Sequence, residues 1–119
     1  MDAGPIKQLL QFYFDANYES DAEKIARVFH PQANVYGHVR GGDFSQFDKK
    51  SFVELIASLE PLANPRQDEI ISIDFIGENA AACRVSLRVG DIIYTDILNF
   101  VCIDGKWGVI AKIYSGAPM

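Results

Sequence analysis

Hydrophobic positions recur at helical spacing over about the first sixty residues and at strand spacing over residues 70–114. Ile6, Leu9, Leu10, Tyr13 and Phe14 follow the i, i+3, i+4, i+7, i+8 rule, one apolar stripe on a helix that Pro5 opens. A second helix is predicted from the capping box Ser20-Asp21-Ala22-Glu23, where the Ser and Glu side chains would satisfy each other's backbone donors. Its stripe is Ala22, Ile25, Val28 and Phe29, and Pro31 ends it. A third, capped by Asp48, would bury Phe52, Leu55, Ile56 and Leu59 and stop before Pro61. Residues 33–47 leave room for a short strand carrying His38 and a hairpin through Gly41-Gly42.

Beyond the polar segment "PLANPRQDE" come four β-like runs, 70–76, 80–89, 92–103 and 106–114. Gly77-Glu78-Asn79, Gly90-Asp91 and Asp104-Gly105 separate them, and Asp-Gly between apolar runs is a strong hairpin signal. Symmetric closure about each turn sets Phe75 opposite Ala81, Ile73 opposite Cys83 and Ile71 opposite Val85. It then sets Val85 opposite Asp96, Cys83 opposite Leu98 and Leu87 opposite Tyr94. In the last hairpin Leu98 meets Ala111, Phe100 meets Val109 and Cys102 meets Trp107. The same apolar set lies on one side throughout, which a one-residue slip would destroy. Helices first and a meander afterwards indicate an α+β fold in one domain, 1–119.

The opposite side of the meander carries Ser72, Asp74, Arg84, Ser86 and Arg88, but also Ile93, Ile97, Val101, Ile110 and Tyr114. An apolar patch on an outer face points to a partner, most simply a second copy of the chain. A bulge that turns some of these residues inward is the alternative.

Composition narrows the field. With 119 residues, 49% of them apolar and 23% charged, the chain can bury about two-thirds of its unfolded surface in a core. The net charge of −5 disfavours nucleic acid. No apolar run approaches the ~20 residues that span a bilayer. The N-terminal "MDAGPIKQLL" has an acid where a signal peptide carries positive charge, so a cytoplasmic protein with no membrane partner is expected. Cys83 and Cys102 lie in apolar runs without metal-ligand spacing, which predicts buried, reduced thiols. No nucleotide-binding glycine motif, zinc motif or nucleophile elbow is present, so neither metal nor cofactor is expected.

Asp96 is the most informative chemical position. It falls in the inward phase between Tyr94 and Leu98, opposite Val85 on one side and Ile113 on the other. A carboxylate among apolar groups is costly unless paired, and burial raises its pKa, which suits a base near neutral pH. The other reading is an Asp bonded to backbone or to a helix end. His38 shares its strand phase with Tyr36 and Arg40, and either that phase or Val35, Gly37 and Val39 could face the core. His30, at the end of the second helix, reads as a cap on carbonyls. Lys112 falls on the outer phase beside Ile97 unless the last strand bulges, an ordinary solvated or interface lysine.

The order of elements, together with "ARVFHPQANVYGH", "YTDILNF", "DGKWGVIAKIY" and "DEIISIDFIGENAAACRV", resembles the nuclear transport factor 2-like superfamily, and within it the lumazine-binding and polyketide-cyclase-like (SnoaL-like) branch. That resemblance implies a cone-shaped α+β domain: three N-terminal helices on a strongly curved antiparallel sheet, an internal pocket, and a homodimer through the outer sheet face. It implies a pocket for an apolar or aromatic small molecule and cofactor-independent isomerase, lyase or cyclase chemistry. Asp96 and His38 would be the acid–base pair, with Tyr36, Tyr94 and Tyr13 as donors and Phe52 and Trp107 among the ligand-binding aromatics. A non-catalytic carrier or sensor, or a dimeric interaction module, would share the fold.

Overall fold

The computed structural model describes residues 2–119. Helix α1 spans Gly4–Glu19 with Pro5 in its first turn, and its stripe of Ile6, Leu10, Tyr13 and Phe14 is buried. Helix α2 spans Ala22–Val28. Its N-cap is Asp21, whose side chain accepts from the Lys24 N–H. Ser20 takes the left-handed conformation that ends α1, and its hydroxyl donates to the Glu60 carbonyl. The N-cap therefore falls one residue later than predicted, and the reciprocal Ser20–Glu23 box does not form. Helix α3 spans Lys49–Ala57 and is capped by Asp48, which accepts from the Ser51 N–H. Phe52 and Ile56 are buried on it, but Leu55 and Leu59 are exposed, contrary to the predicted stripe.

Strand β1 covers Phe29–Val39 and β2 covers Ser45–Asp48, the expected hairpin past Gly41-Gly42. Strand β1 starts two residues earlier than Pro31, so that proline lies inside an extended segment rather than simply ending α2. Strands β3 (Asp68–Phe75), β4 (Ala80–Val89), β5 (Ile92–Ile103) and β6 (Lys106–Pro118) form the meander. The six strands make one sheet in the order β2-β1-β6-β5-β4-β3. It is a mixed sheet rather than a purely antiparallel one, because β1 runs parallel to β6. Parallel neighbours need a long crossover. Helices α2 and α3 lie close to β1, and the helices together cover one face of the sheet.

The β4–β5 register is the symmetric one, with Val85 opposite Asp96 and Leu87 opposite Tyr94. The β3–β4 pairing holds from Phe75 to Ser72 and then slips, so that Ile70 rather than Ile71 meets Val85, and Ile71 is exposed. The slip in the last hairpin has the larger consequence. Phe100 pairs with Val109, but Asn99 pairs with Ala111, so Ile110 is an extra residue on β6. Every later residue of β6 changes face. Leu98 meets Lys112 rather than Ala111, and Asp96 meets Tyr114 rather than Ile113. Lys112 and Tyr114, predicted on the outer phase, point under the helices, and Ile113 points outward.

Two glycines make room for Tyr114, which this shift brings inward, and for its neighbour Tyr94. A Cβ on Gly37, opposite Tyr114, would stand 2.1 Å from the Tyr114 carbonyl oxygen and 2.6 Å from its ring. A Cβ on Gly116 would stand 2.8 Å from the Tyr94 ring. Cys83 is buried and Cys102 half-buried, and the two form no disulfide. Among the described residues no helix is long and apolar enough to cross a membrane.

Candidate functional site

Helix α1 lays Tyr13 across β5, and its hydroxyl donates to Asp96 Oδ2 at 2.5 Å. Asp96 is 1% exposed and Lys112 is 6% exposed. Lys112 Nζ stands 3.9 Å from the same carboxylate oxygen, an ion-pair distance beyond a hydrogen bond. The second oxygen, Oδ1, is buried and has no partner among the described residues. Around the amine sit three rings, with Nζ 4.5 Å from the Phe52 centroid, 4.9 Å from Tyr13 and 5.5 Å from Tyr114. Tyr94 meets Tyr114 edge to face at 5.7 Å between centroids.

These groups wall a cavity of about 140 Å³, lined chiefly by Tyr13, Phe52, Tyr94, Asp96, Lys112 and Tyr114. Its size is near that of an apolar cavity that admits one benzene ring, about 150 Å³. The exposed Leu55 and Leu59 also line it, which places its opening at the C-terminal end of α3. Their missing burial is thereby explained: they edge an opening rather than pack a core.

Electrostatics follow burial. Loss of solvent raises the Asp96 carboxyl above the ordinary carboxylate range, against the opposing pull of Lys112 and of the Tyr13 hydrogen bond. Loss of solvent lowers the Lys112 amine below the ordinary lysine value, with Asp96 opposing. Tyr13 is raised by burial and then by the charge of Asp96, so it stays protonated and donates. Tyr94 is likewise raised, first by burial. The chemical content is one proton-exchanging acid, one amine and phenolic donors in a mostly apolar chamber. Such a chamber strengthens every polar contact made inside it.

Of the residues singled out from sequence, Asp96, Tyr13, Tyr94 and Phe52 meet at this cavity. His38 does not. It follows the outer phase of β1, opposite Ser115, and is exposed, so no His38–Asp96 pair exists. Tyr36 shares that phase and stacks on Phe44 at 6.3 Å, away from the cavity. Trp107 packs edge to face on Phe75, before the bulge and outside the lining. His30 lies inside β1, where its Nδ1 accepts from the Gln32 N–H, and among the described residues it caps no helix carbonyl. Lys112 and Tyr114 were missed as pocket residues because strict alternation assigns them to the other face. The flanking run Val109-Ile110-Ala111 is apolar throughout and carries no mark of the extra residue.

A family model described as "Putative lumazine-binding" matches residues 2–115. The chain is 29% identical over 111 residues to Aldolase FrzH of a Cladobotryum species, covering 89% of this chain and 84% of that protein. Among solved structures it resembles a nuclear transport factor 2-like protein of unknown function from Shewanella baltica, with TM-score 0.85 and 24% identity over 97% of this chain and 93% of that one. A second such protein, from Methylobacillus flagellatus, gives 0.82 and 25% over 94% and 89%.

Removing one member of the buried pair strands the other. Lys112→Met is expected to cost about 3 kcal/mol in urea unfolding at pH 7. Without its amine the folded state binds the Asp96 proton still more tightly than the unfolded chain does. Stability of the variant therefore falls as pH rises above the unfolded carboxyl value, and the deficit shrinks as pH is lowered toward ~4. Asp96→Asn combined with Lys112→Met should recover most of the loss. A double variant as unstable as the sum of the single ones would contradict the pairing.

Proposed function

Because the chain belongs to the Putative lumazine-binding family, within the nuclear transport factor 2-like superfamily, we propose that it binds a small, largely apolar carbonyl compound and moves a proton on the carbon beside that carbonyl. Asp96 is the base in this reading, Tyr13 fixes its carboxylate through Oδ2, and the Tyr94 hydroxyl, on the same face of β5, polarises the carbonyl oxygen. The observation that carries it is the buried, unpartnered Oδ1 of Asp96, a residue that lines this mostly apolar cavity. A buried acceptor of this kind costs free energy until something hydrogen-bonds to it or it accepts a proton. A carboxyl raised by burial is a stronger base than an ordinary carboxylate, which suits proton abstraction. The name of the relative FrzH, an aldolase, fits this reading, since an aldol step begins with removal of a proton beside a carbonyl.

One ring of such a substrate fills the cavity, and further groups extend past Leu55 and Leu59. 2-Tetralone, an aromatic ring fused to a cyclic ketone, is a suitable probe. Proton NMR in deuterated buffer should show protein-catalysed exchange at the carbon between ring and carbonyl. Asp96→Asn should slow that exchange by on the order of a hundredfold while the ketone still perturbs pocket resonances. Binding without exchange in the wild type would reduce the protein to a carrier or sensor.

We also propose that the outer sheet face pairs with a second copy of the chain. Ile97 lies directly opposite Ile113 on that face, and Ile113 is 53% exposed at mid-sheet. An exposed isoleucine beside a half-buried one on an outer sheet face favours burial against a like surface. Sedimentation velocity should give a dimer that Ile113→Glu converts to monomer, and a monomeric wild type would refute the pairing.

A further inference from the structure

We infer that Lys112 is an amine nucleophile that condenses with the carbonyl carbon of the substrate, so that the pocket works through a Schiff base held between Asp96 and three aromatic rings. This rests on the carbonyl-binding reading above and adds a covalent step to it.

The geometry favours an iminium over an ammonium at this nitrogen. An ammonium has three N–H donors to satisfy. Here its partner carboxylate oxygen lies at 3.9 Å, beyond hydrogen-bond range, and the groups closest around it are ring faces. An iminium carries the positive charge on the same atom with a single N–H. The rings of Phe52, Tyr13 and Tyr114 stabilise that charge as they would any cation. Burying a lysine this deeply for stability alone is a poor bargain, since an apolar residue of similar size is often no worse. Burial also lowers the amine's hold on its proton and so favours the neutral, nucleophilic form, as in other desolvated lysines.

Protons balance within the pair. The neutral amine of Lys112 adds to the carbonyl carbon, forming a C–N bond, and the carbonyl oxygen takes a proton to give a carbinolamine. Loss of the hydroxyl as water leaves the C=N bond, and the proton held by the Asp96 carboxyl ends on the nitrogen. That produces an iminium beside a carboxylate. Asp96 then removes the proton from the adjacent carbon, the C=N electrons shift onto nitrogen, and a neutral enamine results. Reprotonation at carbon, or attack by that carbon on a second carbonyl, restores the iminium. Addition of one water then releases the product and the amine. No oxidant or reductant enters.

The test is trapping on the wild-type protein, which needs no variant to fold. Incubation with 2-tetralone and sodium cyanoborohydride at pH 7, followed by peptide mass spectrometry, should place on Lys112 a secondary amine heavier by the ketone less one oxygen atom. The exposed Lys7 and Lys50 should be modified far less. Lys112→Arg, which keeps a cation but cannot form an imine, should abolish the adduct and slow ketone exchange by on the order of a hundredfold. Asp96→Asn should still form the adduct. An unmodified Lys112, with exchange continuing in the wild type and surviving in Lys112→Arg, overturns the inference and leaves the Asp96 reading standing. An unmodified Lys112 with no exchange in the wild type overturns both.

Discussion

A single extra residue in the last strand decides what this pocket contains. With Ile110 unpaired, Lys112, Tyr114 and Gly116 turn toward the helices, and Ile113 turns away. Without it, the helix-covered face would present Ala111 and Ile113 opposite Leu98 and Asp96, and Asp96 would be buried without a counter-charge. Such an arrangement is among the most costly a small protein can hold. The bulge and the acid are therefore one design: the first supplies the amine that makes the second tolerable. Strand β1 adapts to it, since its own register against β6 shifts between Phe29 and Asn34.

The rest of the site follows from filling the space around that pair. Tyr13, on a helix whose buried stripe fixes its rotation, supplies the one strong hydrogen bond to the carboxylate. Tyr114 and Tyr94 lie over Gly37 and Gly116, where a Cβ would collide with carbonyl or ring. Burial raises the acid and lowers the amine together, and their attraction opposes both movements. Neither group has reached full satisfaction, as the unpartnered Oδ1 and the 3.9 Å separation record. A polar pair left incomplete inside an apolar chamber is poised to act on whatever enters through the opening at Leu55 and Leu59.

Much of this was legible in the residues. Helical stripes and turn signals located the elements, and symmetric closure of the β4–β5 hairpin placed Asp96 opposite Val85 on the covered face, where it lies. The order of elements matched the family. What resisted reading had physical causes. Alternation is a local rule, and a bulge among Val109, Ile110 and Ala111 leaves no trace when every residue there is apolar. Strict alternation therefore puts Lys112, the residue of greatest chemical interest, on the outer face, and only the bulge alternative brings it inside. His38 was ambiguous because both phases of its strand could line a core, and only the parallel pairing of β1 with β6, a long-range contact, settles that it points outward. Leu55 and Leu59 fit a helical stripe perfectly well. That they border an opening depends on how the end of α3 packs against the rest of the chain, which spacing does not encode.

Lys112 sits in the pocket with its amine lowered by burial despite the carboxylate beside it. Carbon-13 labelling at the lysine ε position, with Lys112 assigned by its loss in Lys112→Arg, gives its protonation directly as a function of pH. In the folded protein its midpoint is expected below the ~10.4 of free lysine. A midpoint at or above that value would mean that the carboxylate outweighs burial, and would contradict this.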